Sequence, residues 1–504
     1  MKRSREALND DGQPAFLKAA YSRNMKALNI NFINWFSERK AAGQGSGANG
    51  DYQEAAADYI QHTQVLESRY LRSTGQVLTF GSGDCCQLGH GNEEDDDLMV
   101  KFPRVVSYFM SNKILIFSIS CGGLHNAVLS EHGHIYTWGC NDDASLGRPG
   151  KDAEEAFPAM VKGEHEELVD KKFICVACGD GQTMAVTEAG DVYGWGCFKD
   201  KEGKQWFNPS QGAARPEKDI KKKQLFPLLI DGIGPSSRKA PVVDVTCGSS
   251  VNLARCADGS LYSWGSAECG ELGRECRPMK YGGDPDAEYD KEAILEDMIT
   301  PGYMYKVGGE KFRDCVAFGA GAGGYHSLVV GTGGQVYTCG LNNYGQLGHG
   351  DIKDRHELTP IDSLTGFRFV SAKGGQHHSL LLTDDGKLVS FGRGDYGQQG
   401  VSFLSAAGGA TAGACTEAPI LPVIDDSVHL TQICCGANHN LAVSATNEVY
   451  SWGYGDMLAL GHGKEKDEDA PKKMPMDKAK LGTNVRVHQI ACGGQHSALL
   501  ASLA

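Results

Sequence analysis

The chain has 504 residues, 41% of them apolar, which is enough to bury a large core. Its formal net charge of −14 argues against a basic surface for indiscriminate nucleic-acid binding. No run of about 18 apolar residues occurs and the N-terminus is polar, so neither a membrane span nor a signal peptide is expected.

Residues 1–70 read as a separate helical extension. Leu28, Phe32, Trp35 and Phe36 fall on one helical stripe, and Tyr52, Ala55, Tyr59, His62, Leu66 and Tyr70 on a second. Between them, Ala41 to Gly50 is a Gly-rich linker. The pair is expected to dock on the rest of the chain or on a partner.

From residue 71 to 504 the chain repeats. A short strand ending in aromatic-Gly recurs seven times, as in Gly133-His-Ile-Tyr-Thr-Trp-Gly139, Gly190-Asp-Val-Tyr-Gly-Trp-Gly196 and Asn447-Glu-Val-Tyr-Ser-Trp-Gly453. Upstream of it lies a Gly-Gly-x-His unit and a short apolar strand, as in Cys121-Gly-Gly-Leu-His125, Lys373-Gly-Gly-Gln-His377 and Cys492-Gly-Gly-Gln-His496. Downstream comes Gln-Leu-Gly or a variant, at Leu88, Leu146, Leu272, Leu347 and Leu460. Short alternating runs bounded by glycine are strands, and a unit of roughly 50–60 residues repeated this way forms a propeller or a solenoid.

The termini decide between the two. The first repeat, at Gly75, lacks its Gly-Gly-x-His strand, and the last such strand, Cys492 to Leu500, has no aromatic-Gly strand after it. One blade built from both ends closes the ring and removes exposed edges. The fold expected is therefore all-β, a seven-bladed β-propeller closed by N- and C-terminal strands. Cys121, Cys178, Cys247, Cys435 and Cys492 share one repeat position and are expected to be buried, reduced small side chains. In Cys175-Val-Ala-Cys178, an offset of three puts the sulfurs on opposite faces of a strand, which argues against zinc.

With the strands, the Cys-Gly-Gly-x-His units and the Gln-Leu-Gly turns in place, the chain from residue 71 resembles the regulator of chromosome condensation family. The family is a seven-bladed propeller closed by a split blade, and it carries several functions. Some segments are similar to its branch of guanine-nucleotide exchange factors for the nuclear GTPase Ran. These are Gly81-Ser-Gly-Asp84-Cys-Cys-Gln-Leu-Gly89, Gly139-Cys-Asn-Asp-Asp-Ala-Ser-Leu-Gly-Arg148 and Gly374-Gly-Gln-His377-His378. In the third repeat no Gln-Leu-Gly follows Gly196; the chain reads Cys197-Phe198-Lys199-Asp200-Lys201-Glu202-Gly203-Lys204. In that branch the same blade throws out a hairpin, the β-wedge, which pushes into the GTPase near its phosphate-binding loop.

The resemblance implies exchange on a Ran-type GTPase without covalent chemistry, bound nucleotide, cofactor or metal. Asp84, Asp180, His377, Lys199 and Asp200 are expected to act on the GTPase. His125, Lys201, Glu202, Gly203, Lys204, Ser250, Arg274 and His496 are expected to help bind it. Asp84 and Asp180 stand out because an acid is not expected as a repeat-wide feature at their positions, whereas the recurring histidines have a competing role as hydrogen-bonded strand caps.

Three departures weigh against exchange: Ser250 where the branch has an acid, Gly345 where it has a histidine, and Lys199 where it has an arginine, whose planar fork a lysine lacks. The non-enzymatic alternative is a scaffold of the same fold. A light-absorbing indole array is not expected, because four of the six tryptophans are the repeat's own. Nuclear location is implied, with a cytoplasmic pool allowed and no membrane partner. The resemblance also implies chromatin or histones as partners, but the tail holds only Lys2, Arg3 and Arg5 and the Asp284 to Asp297 loop is acidic, which opposes that contact. Lys218, Lys221, Lys222 and Lys223 and the acidic Glu93 to Asp97 run are read as solvated charge. Leu-Asn-x-x-Phe-x-x-Trp with Asp58-Tyr59-x-x-His62 is similar to a segment of Ran-linked nuclear-pore proteins, which would make residues 1–70 a contact for transport or pore proteins.

Overall fold

A computed structural model describes residues 16–17, 73–91, 99–150, 154–199, 203, 205–207, 222–276, 298–321, 324–401, 415–422, 424–482 and 484–503. Among the described residues seven sheets form the ring, antiparallel throughout except for one parallel pairing in the fifth. The first blade runs, from rim to axis, Met99–Val105, Gln76–Ser82, His496–Leu503 and Val485–Cys492. Gln76 pairs with Ala501 and Gly81 with His496, so the two ends of the chain complete one sheet. This is the closure that the complementary termini imply.

The second blade is Ile116–Cys121, His125–Ser130, Ile135–Cys140 and Glu154–Met160, now from axis to rim. In the third, Phe173–Cys178, Gln182–Thr187 and Val192–Gly196 reach their rim strand, Gln224–Leu229, only after a long excursion. The fifth adds a hairpin, Tyr305–Lys306 with Glu310–Lys311, beside its rim strand Arg355–Pro360. Residues 18–70 and the loops 92–98, 208–221 and 277–297 lie outside the described residues. The helical stripes, the acidic runs, Lys218 and Lys221 therefore carry no structural statement. Phe16 and Leu17 are described: both are buried, with Phe16 edge-on to Phe117 and under the Lys172 ammonium.

The repeat motif is explained by how blades interlock. Gly139 has φ +105, and a Cβ on it would lie 2.5 Å from Leu124 O, so only glycine ends that strand. The glycine of the Gln-Leu-Gly turn lies flush against the next blade: a Cβ on Gly89 would meet Trp138 Nε1 at 2.8 Å, one on Gly147 would meet Trp195 Nε1 at 2.8 Å, and one on Gly273, where the next blade carries Cys339 instead of a ring, would meet Cys339 Sγ at 3.1 Å. Those indoles donate to the preceding turn, Trp138 to Gln87 O at 3.0 Å and Trp195 to Ser145 O at 2.7 Å.

A belt of hydrogen bonds runs inside the ring. His125 Nε2 meets Thr183 Oγ1 at 2.8 Å, His326 meets Ser379 at 3.0 Å, His378 meets Asn440 Oδ1 at 2.8 Å, His439 meets Ser497 at 2.9 Å, and His496 meets Asn126 Oδ1 at 2.9 Å. The Thr183, Ser379 and Ser497 hydroxyls spend their own protons on Ser145 O, Gln346 O and Ala459 O, so the histidine Nε2–H is the donor. Each bond ties one blade to the next. Burial pushes these imidazoles down, to about 4 for His125, His378 and His439 and to about 3 for His326 and His496, so they are neutral near pH 7.

The axial strands surround a cavity of about 150 Å³ into which the repeat cysteines look. Cys121, Cys178, Cys247, Cys435 and Cys492 are free and buried, and desolvation raises their thiol pKa values. Cys175 Sγ faces Asp244 Oδ1 at 3.3 Å while Cys178 Sγ faces Ser120 O at 3.5 Å, on opposite neighbours. Among the described residues no cluster of three or more metal-ligating groups occurs.

Candidate functional site

Pairing fixes which turns share a face. His125 pairs with Gly139 and Gln182 with Gly196, so the turn after each axial strand and the turn after each aromatic-Gly strand lie at the same end of the blade. On that face the third blade departs from the others. Instead of a Gln-Leu-Gly turn it forms a hairpin, Phe198–Lys199 against Gln205–Trp206, in the register Phe198 to Trp206 and Lys199 to Gln205. Its root is apolar: the buried Phe198 ring lies 4.8 Å from Trp206 and stacks on Phe207 at 5.4 Å. At the tip only Gly203 is described; it is exposed, with φ +79 and nothing within 4 Å of an added Cβ. Asp200, Lys201, Glu202 and Lys204 lie outside the described residues.

The root is gripped from both sides. From the second blade, Asp143 Oδ2 takes the Lys199 ammonium at 2.5 Å and Asp143 Oδ1 accepts from Gln205 Nε2 at 3.1 Å. From the fourth, Ser250 Oγ accepts from Lys199 N–H at 3.1 Å and donates to Lys199 C=O at 2.6 Å. Lys223 also donates to the Asp142 carbonyl. Desolvation opposes the charge on Lys199, but Asp143 outweighs it and holds the ammonium above its ordinary pKa.

The expected site residues separate into three groups. Asp84 is exposed on this face, and Asp180 is exposed in the turn after the axial strand Phe173–Cys178, where its Oδ2 accepts from Ser249 Oγ at 2.7 Å. Loss of solvation pushes the Asp180 carboxyl up, against the Ser249 bond and the Lys199 charge. His377 is half-buried on the same face, its ring 4.7 Å from Tyr344; burial and then the Arg393 charge push it down to about 4.

The second group is buried. His125 is 1% exposed and His496 0%, both spent in the belt, so neither can touch a partner through its side chain. Ser250, 3% exposed, lies under the hairpin instead of on the surface. In the third group, Arg274 turns toward its own blade's rim, donating to Thr300 O at 3.0 Å.

Two expectations from the repeat alignment are corrected. In the sixth blade the belt histidine is His378, not His377: Gly375 N–H bonds to His378 O just as Gly122 N–H bonds to His125 O. His377 is thereby released from the belt. The Asp84 position does carry an acid in other blades, because Asp142, Glu268, Asp395 and Asp456 occupy the same place in their turns, four residues before the Leu or Gln that precedes glycine. The five form an acidic crown around the face.

Sequence reasoning also missed an aromatic row across blades five to seven. Arg393 lies over Tyr344 and Tyr396 at 5.3 and 5.2 Å and grips Asp395 Oδ2 at 2.6 Å. Tyr396 lies 4.9 Å from Tyr454, whose hydroxyl donates to Asp456 at 2.9 Å. All four residues are partly exposed. The signal was present in the turns, as Asn343-Tyr344, Asp395-Tyr396 and Tyr454-Gly-Asp456. Arg and Tyr at a partly buried surface are the residues that anchor protein interfaces.

Comparison with known proteins identifies the family of the chain. The model for an RCC1-like domain matches residues 76–499. The regulator of chromosome condensation of Mus musculus is 32% identical over 450 residues, covering 89% of this chain and 95% of that protein. The ultraviolet-B receptor UVR8 of Arabidopsis thaliana is 30% identical over 403 residues, covering 80% and 78%. The crystal structure of Prp20p from Saccharomyces cerevisiae, a protein characterised for its binding to Gsp1p and histones, superposes with a TM-score of 0.70 at 24% identity, covering 86% of this chain and 92% of that one.

Proposed function

The chain belongs to the RCC1-like domain family, and from that membership we propose that it is a guanine-nucleotide exchange factor for a Ran-type small GTPase, working in the nucleus. The observation that carries this reading is the hairpin at Phe198–Lys199 and Gln205–Trp206, which replaces a repeat turn on one face and is braced by both neighbouring blades.

The chemistry is differential binding. A GTPase holds its nucleotide through phosphates and a metal ion; a partner that prefers the empty form weakens that hold, and the coupling is reciprocal. A preference of about 5–7 kcal/mol gives roughly a 10⁴–10⁵-fold effect. The hairpin tip would enter the GTPase. The crown of Asp84, Asp142, Glu268, Asp395 and Asp456 would receive its basic side chains, and the Tyr344–Arg393–Tyr396–Tyr454 row would bury against it. Asp180 and His377 lie on the same face and would contact it too. His125 and His496 tie blades together and Arg274 braces its own blade, so the three act only through the fold. Chromatin enters this reading through Prp20p, described for histone binding; a contact of residues 1–70 with pore proteins rests on their sequence pattern alone.

The test is release of fluorescent GDP from purified Ran in excess unlabelled nucleotide. Accelerated release supports the reading. The second reading, a non-catalytic scaffold, is favoured by one observation: Ser250, at the position of the branch's acid, is committed to the hairpin root. It predicts GTPase binding without release, or no binding.

A further inference from the structure

The hairpin root contains three residues that a surface-contact reading leaves unexplained: Lys199, Ser250 and Asp143. Lys199 stands where the resemblance implies an arginine; its side chain is 44% exposed, yet its ammonium is held by Asp143, whose side chain is 16% exposed. Ser250 uses both hydrogen-bonding capacities of one hydroxyl on one residue, accepting from the Lys199 N–H and donating to its C=O. Gly181 belongs to the same arrangement: a Cβ there would come 3.0 Å from Asp143 Oδ2 and 3.0 Å from Cys197 O, so a bare glycine leaves room for the carboxylate at the root.

We propose that Asp143 and Ser250 are positioning residues that set the angle of the hairpin from the two adjoining blades, with Lys199 as the residue they clamp and not a contact to the partner. This rests on the exchange-factor reading for its consequence, but the clamp itself does not. A two-residue strand pair has little stiffness of its own. Four polar bonds at its base, two to the backbone and two to side chains, fix where the tip points. An acid at residue 250 would accept from the Lys199 N–H but could not donate to its C=O, so serine and Lys199–Asp143 form one matched set. They take the place of an acid and an arginine.

The experiment has two arms on the full chain. In the protein alone, Ser250→Ala and Asp143→Asn are compared with the parent by hydrogen exchange of the 197–207 segment, with melting as a control for folding. Loss of one or two of these hydrogen bonds predicts roughly two-fold to a hundredfold faster exchange in that segment, with the rest of the ring unchanged. In the GDP-release assay, both variants should lower kcat several-fold while KM stays near the parent value, and Lys199→Arg, which can still reach Asp143, should retain most of kcat. A partner-contact role for Lys199 predicts the opposite split, with KM rising and Asp143→Asn silent. Unchanged exchange of the 197–207 segment in both variants overturns the clamp. Faster exchange in a protein whose parent releases no nucleotide leaves the clamp standing and overturns the exchange-factor reading instead.

Discussion

His377 and His378 are neighbours in one turn, yet they belong to different parts of the molecule. His378 is buried, donates to Asn440 Oδ1 in the next blade and repeats around the ring. His377 is half-buried on the hairpin face, its ring tilted against Tyr344 beside Arg393. The belt is built from a histidine that recurs in five of the seven blades, with Gln182 and Val251 at its place in the third and fourth; the face is built from turns whose backbone recurs while most of their side chains vary. A residue's place in the repeat thus separates what holds the ring from what is free to meet a partner. A histidine motif alone does not.

The largest break in this contrast is at the closure. Ending the chain at Arg486 removes the His496–Leu503 strand, which pairs with Gln76–Ser82, and with it the His439 and His496 links. The expected outcome is aggregation or loss of a single cooperative unfolding transition, read by calorimetry.

Next is pH. The five belt histidines have folded pKa values of about 3 to 4, below the ordinary 6.5. The unfolded chain therefore binds protons first. Their contribution is complete above pH 6.5 and is lost as pH falls toward 4, with a slope of up to about 1.4 kcal/mol per pH unit for each histidine. Denaturant midpoints measured between pH 7 and 4.5 should fall steeply; a flat profile would mean the belt is not desolvated.

Single substitutions sharpen the contrast. His496→Ala leaves Asn126 without its partner in a buried site and should cost about 2–3 kcal/mol of stability. His377→Ala should cost no more than about 1 kcal/mol, with its effect on GTPase affinity instead. Equal stability losses in the two would erase the distinction between belt and face. Tyr396→Ala, smaller still in stability, should weaken GTPase association measured by interferometry, because it removes one side of the Arg393 stack.

Blade number, closure and the strand order were legible because they depend on glycine spacing and on what each terminus lacks. The register of the sixth blade was not: Gly374 and Gly375 are adjacent, so the Gly-x-x-His pattern fits either one, and only the Gly375 to His378 backbone bond selects between them. The acidic crown was hidden by comparing whole motifs instead of counting back from Leu-Gly, which lines up Asp84, Asp142, Glu268 and Asp456. Asp143 was invisible for a different reason. It follows Asp142 in an unremarked pair, and its partner Lys199 is 56 positions away, brought near only by the ring. Ser250 read as a missing acid because its role is to a backbone, which no residue pattern reports.

The most direct test replaces the hairpin tip, Asp200 to Lys204, with two glycines, leaving Lys199 in its clamp, and follows GDP release from Ran. The account predicts accelerated release by the parent, release at the uncatalysed rate with the tip variant, and the same melting temperature for both. Full acceleration by the tip variant, or none by the parent, would contradict it.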